Sequence, residues 1–174
     1  CGLFWVKKVD KSNDSRQINS TLSDYINDRQ RIDLDSHAGS PVVACGEKNP
    51  FILDDSSGCT GNIYNVVGYT GAGSAEELPE GTYVTAHDMA NGITILLVIN
   101  RALSRLSQNP SLIPPFMMRH AGIEVNDVAV QHAENDMYSH TIVIPERGYI
   151  LPLELINAKS SLFIMRPTKE ELDT

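Results

Sequence analysis

One stretch constrains this chain more than any other: Ile32-Asp33-Leu34-Asp35-Ser36-His37-Ala38, followed by Gly39-Ser40-Pro41-Val42-Val43. Ile32 and Leu34 alternate with charged residues, which is the period of a strand with one buried face. The strand then runs into small and turn-forming residues. Such a unit presents the Asp35 carboxylate beside the Ser36 hydroxyl at the end of a strand, the way a hydrolase holds an aspartate ready to activate water. The chain carries the unit once, so a site needing two must draw the other from a second chain.

At 174 residues, with 41% apolar and 21% charged residues, the chain is long enough for one domain with a real core. Its formal charge of -8 leaves no broad basic surface, so direct nucleic-acid binding is not expected. Cys1, Cys45 and Cys59 form an odd, sparse set without CxxC spacing, which argues against a disulfide framework or a structural zinc site and for a reducing, cytoplasmic setting. The longest apolar run, Ile93 to Ile99, is too short to span a bilayer, and no signal segment is read, so a soluble protein without membrane contact is expected. A start at Cys1 rather than Met fits an internal piece of a longer polypeptide.

Residues 1–30 read as a polar linker, because from Lys7 onward Val9, Ile18, Leu22, Tyr25 and Ile26 stand almost alone among Lys, Asp, Ser, Asn, Arg and Gln. The domain is expected over 31–168, with 169–174 a frayed acidic tail. Within it, Pro41 to Ala44, Phe51 to Leu53, Ile63 to Val67, Thr82 to Ala86, Ile93 to Ile99, Thr141 to Ile144, Tyr149 to Leu153 and Ser161 to Met165 read as strands. Asn91-Gly92 and Arg147-Gly148 are the strongest hairpin signals. A single helical segment is expected at Leu112 to Ala121, with prolines at its start and Gly122 at its stop. The expected class is therefore all-β with one short helix.

Aspartic peptide hydrolysis needs two carboxylates at close range, one acting as base toward water while the other stays protonated. Asp35 with Ser36 supplies half of that pair. Asp55-Ser56 repeats the dipeptide only twenty positions on, too near to belong to a second lobe, and reads as a hairpin tip. By itself an Asp-Ser dipeptide is a common turn former. The later segments, taken in order, give it more meaning: Tyr64 to Tyr69, Ile93 to Ala102, Ser111-Leu112-Ile113-Pro114-Pro115-Phe116-Met117-Met118-Arg119-His120-Ala121-Gly122, Ser139 to Val143 and Ile150 to Leu153.

From about Arg31 onward this ordered set resembles the retropepsin-like protease region of copia-type LTR retrotransposon Gag-Pol polyproteins, in the divergent form written Asp-Ser-His-Ala. The resemblance implies a small closed β-barrel that forms a homodimer, with Asp35 of each chain meeting on the two-fold axis and Ser36 orienting the pair. It implies that Leu112-Ile113 threads behind the catalytic turn, which His37 and Ala38 support. It implies a hairpin flap over an extended polypeptide substrate taken from its own polyprotein. Asp54, Asp55, Ser56, Ser57 and Gly58 are the first flap candidates, and Gly68 to Gly73 the competing ones. His37 stands where active retropepsins carry glycine. Its amide can still serve the carboxylate where the turn needs no positive φ. The competing function is a catalytically degenerate module of the same kind, serving polyprotein binding or assembly.

His37, His87, His120, His132 and His140 lack any fixed metal-ligand spacing, so no metal and no cofactor are expected. Phe116, Met117 and Met118 read as core, and Gly71-Ala72-Gly73 as a turn, since Glu76 and Glu77 would repel phosphate. Cys45, after Val42-Val43-Ala44, reads as a small buried apolar residue.

Overall fold

An apolar run such as Ile95-Leu96-Leu97-Val98-Ile99, with no polar alternate, must be covered on both faces. The computed structural model describes residues 4–9, 30–55, 63–67, 75–106, 110–128 and 140–173. In chain order the strands are β1 (Phe4–Val9), β2 (Arg31–Leu34), β3 (Val42–Ala44), β4 (Ile52–Leu53), β5 (Ile63–Val67), β6 (Ala75–Asp88), β7 (Thr94–Arg105) and β8 (Ser111–Ile113). After the helix α1 (Pro115–His120) come β9 (Glu124–Asn126), β10 (Thr141–Ile144), β11 (Tyr149–Pro152), β12 (Glu154–Ile156) and β13 (Lys159–Phe163), then the helix α2 (Lys169–Asp173). The all-β expectation holds.

The run lies in β7, which is buried on both faces. Ile95, Leu97 and Ile99 join the main core with Ile32, Leu34, Phe51, Ile113, Ile142 and Leu162, while Leu96 and Val98 pack with Val9, Val84 and Ala86 on the other face. Ten strands form one sheet in the order β12-β13-β2-β8-β3-β7-β6-β4, with β1 added to β7 and β5 to β6. A second sheet, β11-β10-β9, turns Ile142, Ile144 and Leu151 into the main core.

The expected closed barrel is not found among the described residues. The sheet branches at β7 instead. One edge of β7 pairs with β6, while the other pairs with β1 over Thr94–Ile99 and with β3 over Leu103–Arg105. Arg101 takes a left-handed φ of 58° at that change of partner, and the opposite strand bulges between Gly81 and Tyr83. Thr82 Oγ1 donates to Asn100 Oδ1 at 2.8 Å across the buried irregularity.

Three further expectations are corrected. Part of the supposed 1–30 linker is strand β1, whose Val6 and Val9 are buried; apart from Gln30, the rest of that span lies outside the described residues. The helix begins at Pro115, and Leu112 and Ile113 belong to β8, because Pro114 and Pro115 each disfavour helical geometry in the residue before them. The helix ends as expected: Gly122 has φ 82°, and the amides of Gly122 and Ile123 return to the carbonyls of Arg119 and Met118, a Schellman cap with Met118 and Ile123 both buried. The acidic tail is a second helix, α2. Thr168 N–H donates to Glu171 Oε2 at 2.9 Å and Glu171 N–H to Thr168 Oγ1 at 3.3 Å, a reciprocal capping box.

Both hairpin signals are found. Met89 to Gly92 joins β6 to β7, with Gly92 at φ 81°, and Pro145 to Gly148 joins β10 to β11, with Gly148 at φ 66°.

Candidate active site

Asp35 leaves the end of β2, and its position follows from what flanks that strand. On one edge β2 runs parallel to β8, in the register Ile32↔Ser111, Asp33↔Leu112, Leu34↔Ile113; on the other it is antiparallel to β13. After the turn the chain returns as β3 and pairs with the far edge of β8 at Val42↔Leu112. Leu112-Ile113 therefore passes between the two arms of the Asp35 turn. The register is fixed by burial, since Ile32, Leu34 and Ile113 all enter the main core.

The turn is tied down at four points. Asp35 N–H donates to Ile113 O at 3.1 Å, and Ala38 N–H to Asp35 O at 3.2 Å. His37 N–H donates to Asp35 Oδ1 at 2.9 Å. Pro41 O accepts the Leu103 N–H at 2.8 Å. His37 is not among the residues with positive φ, so a side chain at this position does not strain the turn, and its amide still reaches the carboxylate. Asp35 is half-buried, while Ser36 and His37 are exposed. Within one chain Ser36 Oγ pairs with His37 Nδ1 at 3.1 Å rather than with a carboxylate.

Of the first flap candidates, Asp54 closes β4 by donating its N–H to Thr82 O at 2.8 Å, and Asp55 is exposed beyond it. Ser56, Ser57 and Gly58 lie outside the described residues, as does the competing stretch Gly68 to Gly73. That stretch is nevertheless flanked by two antiparallel arms, β5 and the start of β6, in register from Ile63↔Pro79 to Val67↔Ala75. Ile63 and Tyr64 on the first arm are exposed.

A cluster that the sequence reading passed over lies on the same face of β2 as Asp35. Asp33, only 3% exposed, accepts Ser161 Oγ at 2.7 Å and Arg31 Nε at 2.9 Å on Oδ1. The signal was present as Arg31, Asp33 and Asp35 in alternate positions around Ile32 and Leu34. Cys45 is half-buried against the core, and burial pushes its thiol above the usual range, which suits packing rather than nucleophilic attack. No three His, Cys, Asp or Glu side chains gather as a metal site would require, among the described residues. No helix among them is long and apolar enough to cross a membrane. A hollow of about 370 Å³ on the second sheet face is lined by Trp5, Lys7, Leu53, Val84 and Leu172 and includes no residue of the Asp35 turn.

Comparison with known proteins finds no matching family model, no matching curated protein and no matching solved structure.

Proposed function

We propose that this chain is half of an aspartic endopeptidase, acting as a homodimer in which Asp35 and its symmetry mate activate water against a peptide bond. The observation that carries the reading is the crossing of β8 beneath the Asp35 turn, with Asp35 N–H on Ile113 O and the His37 amide on the Asp35 carboxylate. This arrangement holds one carboxyl oxygen by a backbone donor and leaves the group half open, which a proton-transferring acid needs. Two such groups facing each other cannot both ionise at close range, so one takes the proton of water while the other donates to the carbonyl oxygen of the scissile bond. Collapse of the tetrahedral intermediate then passes a proton to the leaving nitrogen.

The β5–β6 hairpin is the better flap, since its arms are paired strands and it would close on substrate as an added strand that excludes water. The substrate is an extended polypeptide. With the sequence resemblance, the source would be a copia-type retrotransposon polyprotein processed inside the cell. The test is cleavage of an unfolded or polyprotein-derived peptide at mildly acidic pH by the wild type and by Asp35→Asn. Loss of cleavage in the variant supports the role, and equal cleavage by both sinks it.

A second reading, a non-catalytic module for polyprotein assembly, draws on the Ser36–His37 pairing, which engages the hydroxyl that would otherwise steady the acid pair. Its test is His37→Gly: cleavage gained by an otherwise inert protein favours it, and robust cleavage by the unaltered chain rejects it.

A further inference from the structure

The β6–β7 hairpin tip carries the one Asn-Gly pair of the sequence. Gly92 donates its N–H to Met89 O at 3.0 Å, and Met89 donates to Ile93 O at 2.8 Å, so the turn is well formed. Asn91 and Gly92 are both exposed, and no atom beyond the adjoining residues lies within 4 Å of the position a Cβ on Gly92 would take. No side chain at position 92 therefore covers the Gly92 nitrogen, whose N–H is held only by the turn's own hydrogen bond to Met89 O. The Asn91 carboxamide is folded back along its own main chain, with Oδ1 accepting the Ile93 N–H at 3.1 Å. A donor on that oxygen stands where negative charge develops when the carbonyl carbon is attacked, so it polarises the amide in the sense that attack requires.

We propose that Asn91 is a self-modification site that deamidates in the folded protein. Gly92 N–H opens from Met89 O and gives its proton to hydroxide, and the nitrogen bonds to Asn91 Cγ. The Cγ–Nδ2 bond breaks, ammonia leaves with a proton from water, and a succinimide remains. Water adds to either imide carbonyl and opens the ring to aspartate or, with the main chain rerouted through Cγ, to isoaspartate. No electrons change hands. The product carries a new negative charge three residues from Asp88, and the isoaspartyl form lengthens the turn by one main-chain carbon between the paired residues Asp88 and Thr94. An internal control is present at Asn157-Ala158, another exposed turn, where the Ala158 methyl shields the attacking nitrogen.

The experiment incubates the full chain, folded, in mildly alkaline heavy-oxygen water and maps its peptides, with the denatured chain run in parallel. The expected result is heavy oxygen and isoaspartate at position 91 in the folded chain, while Asn157 stays largely unlabelled. Asn91→Gln, which retains an amide but resists the ring closure, loses the label at this position. Label at position 91 in the denatured chain alone, with the folded chain intact there, overturns the proposal because the turn then protects the residue. Equal labelling of Asn91 and Asn157 in the folded chain also overturns it, since neither the glycine nor the Ile93 donor would then matter.

Discussion

The Asp35 amide and the Ile113 carbonyl meet at 3.1 Å, pinning the proposed catalytic turn to the strand that crosses beneath it. Ile113 is wholly buried, so its side chain holds that strand in the core. Ile113→Ala is expected to cost about 3 kcal/mol of stability, measured by urea unfolding. Peptide cleavage per folded molecule should also fall, because the cavity lets the support of Asp35 shift. Ile113→Val keeps most of the packing and should cost about 1 kcal/mol with little loss of activity.

Asp33 and Ser161 form a second test of how this strand is held. The Ser161 hydroxyl and the Asp33 carboxylate are both buried and in register across β2 and β13. Ser161→Ala is expected to destabilise the fold by about 2 kcal/mol, since it removes a hydrogen bond to a charged, buried acceptor. Adding Asp33→Val to that variant should cost less than the sum of the single changes, because the acceptor that lost its donor is gone. Full additivity in denaturant melts would show that the two residues do not act together.

Much of this arrangement was legible in the sequence, for reasons that separate the parts found from the parts missed. Strands with their own apolar pattern, such as Ile63–Val67 and Thr141–Ile144, match their expected limits, and Asn91-Gly92 and Arg147-Gly148 mark their turns because glycine supplies the left-handed conformation there. Leu112-Ile113 reads locally as the opening of a helix and, by the family resemblance, as the segment behind the turn. Local composition cannot show that a three-residue piece is strand when its partners, β2 and β3, lie far away in sequence. β1 is hidden for the same reason: its Lys7 and Lys8 look like linker until β7 pairs with them. The α2 helix is a different case, since Thr168-Lys169-Glu170-Glu171 is a capping-box sequence that could have been read directly. Sheet closure cannot be judged from any local pattern, because it depends on which strands take the edge of β7 away from β6, here β1 and β3.

The capping box gives a direct prediction. Thr168→Ala removes the acceptor for the Glu171 amide and leaves the buried Glu171 carboxylate with the Thr168 N–H. A loss of about 1 kcal/mol is expected. Hydrogen exchange should rise first over 169–173, while amides of β7 remain protected.

The β12–β13 hairpin turns through Asn157 and Ala158, with φ of 49° and 63°, between the paired residues Ile156 and Lys159. Two left-handed residues in succession make a type I′ turn, where asparagine is at home and alanine is not. Ala158→Gly relieves the contact of Cβ with the backbone and is expected to raise stability by about 1 kcal/mol. A melting temperature that falls instead would mean the turn tolerates alanine and that the flexibility of glycine in the unfolded chain dominates.

Cys45 and Tyr83 set the response of the fold to alkali. Burial pushes the Cys45 thiol above its usual 9.0 and the Tyr83 phenol above its usual 10.0, the second against a hydrogen bond with Ser104 that pulls the other way. Well below pH 9.0 both groups are protonated in the folded and unfolded chains, and neither makes stability depend on pH. As pH rises past that point the unfolded thiol ionises first, and past 10.0 the unfolded phenol does too, while the folded groups keep their protons. The folded state then binds more protons than the unfolded one, so stability must fall with rising pH until the folded groups ionise in turn. Urea melts taken across this window should show the decline. Tyr83→Phe should flatten the part above 10.0 while lowering the starting stability through loss of the Ser104 bond, and Cys45→Ala should flatten the part that begins near 9.0. A slope unchanged in both variants would place the alkaline sensitivity on other groups.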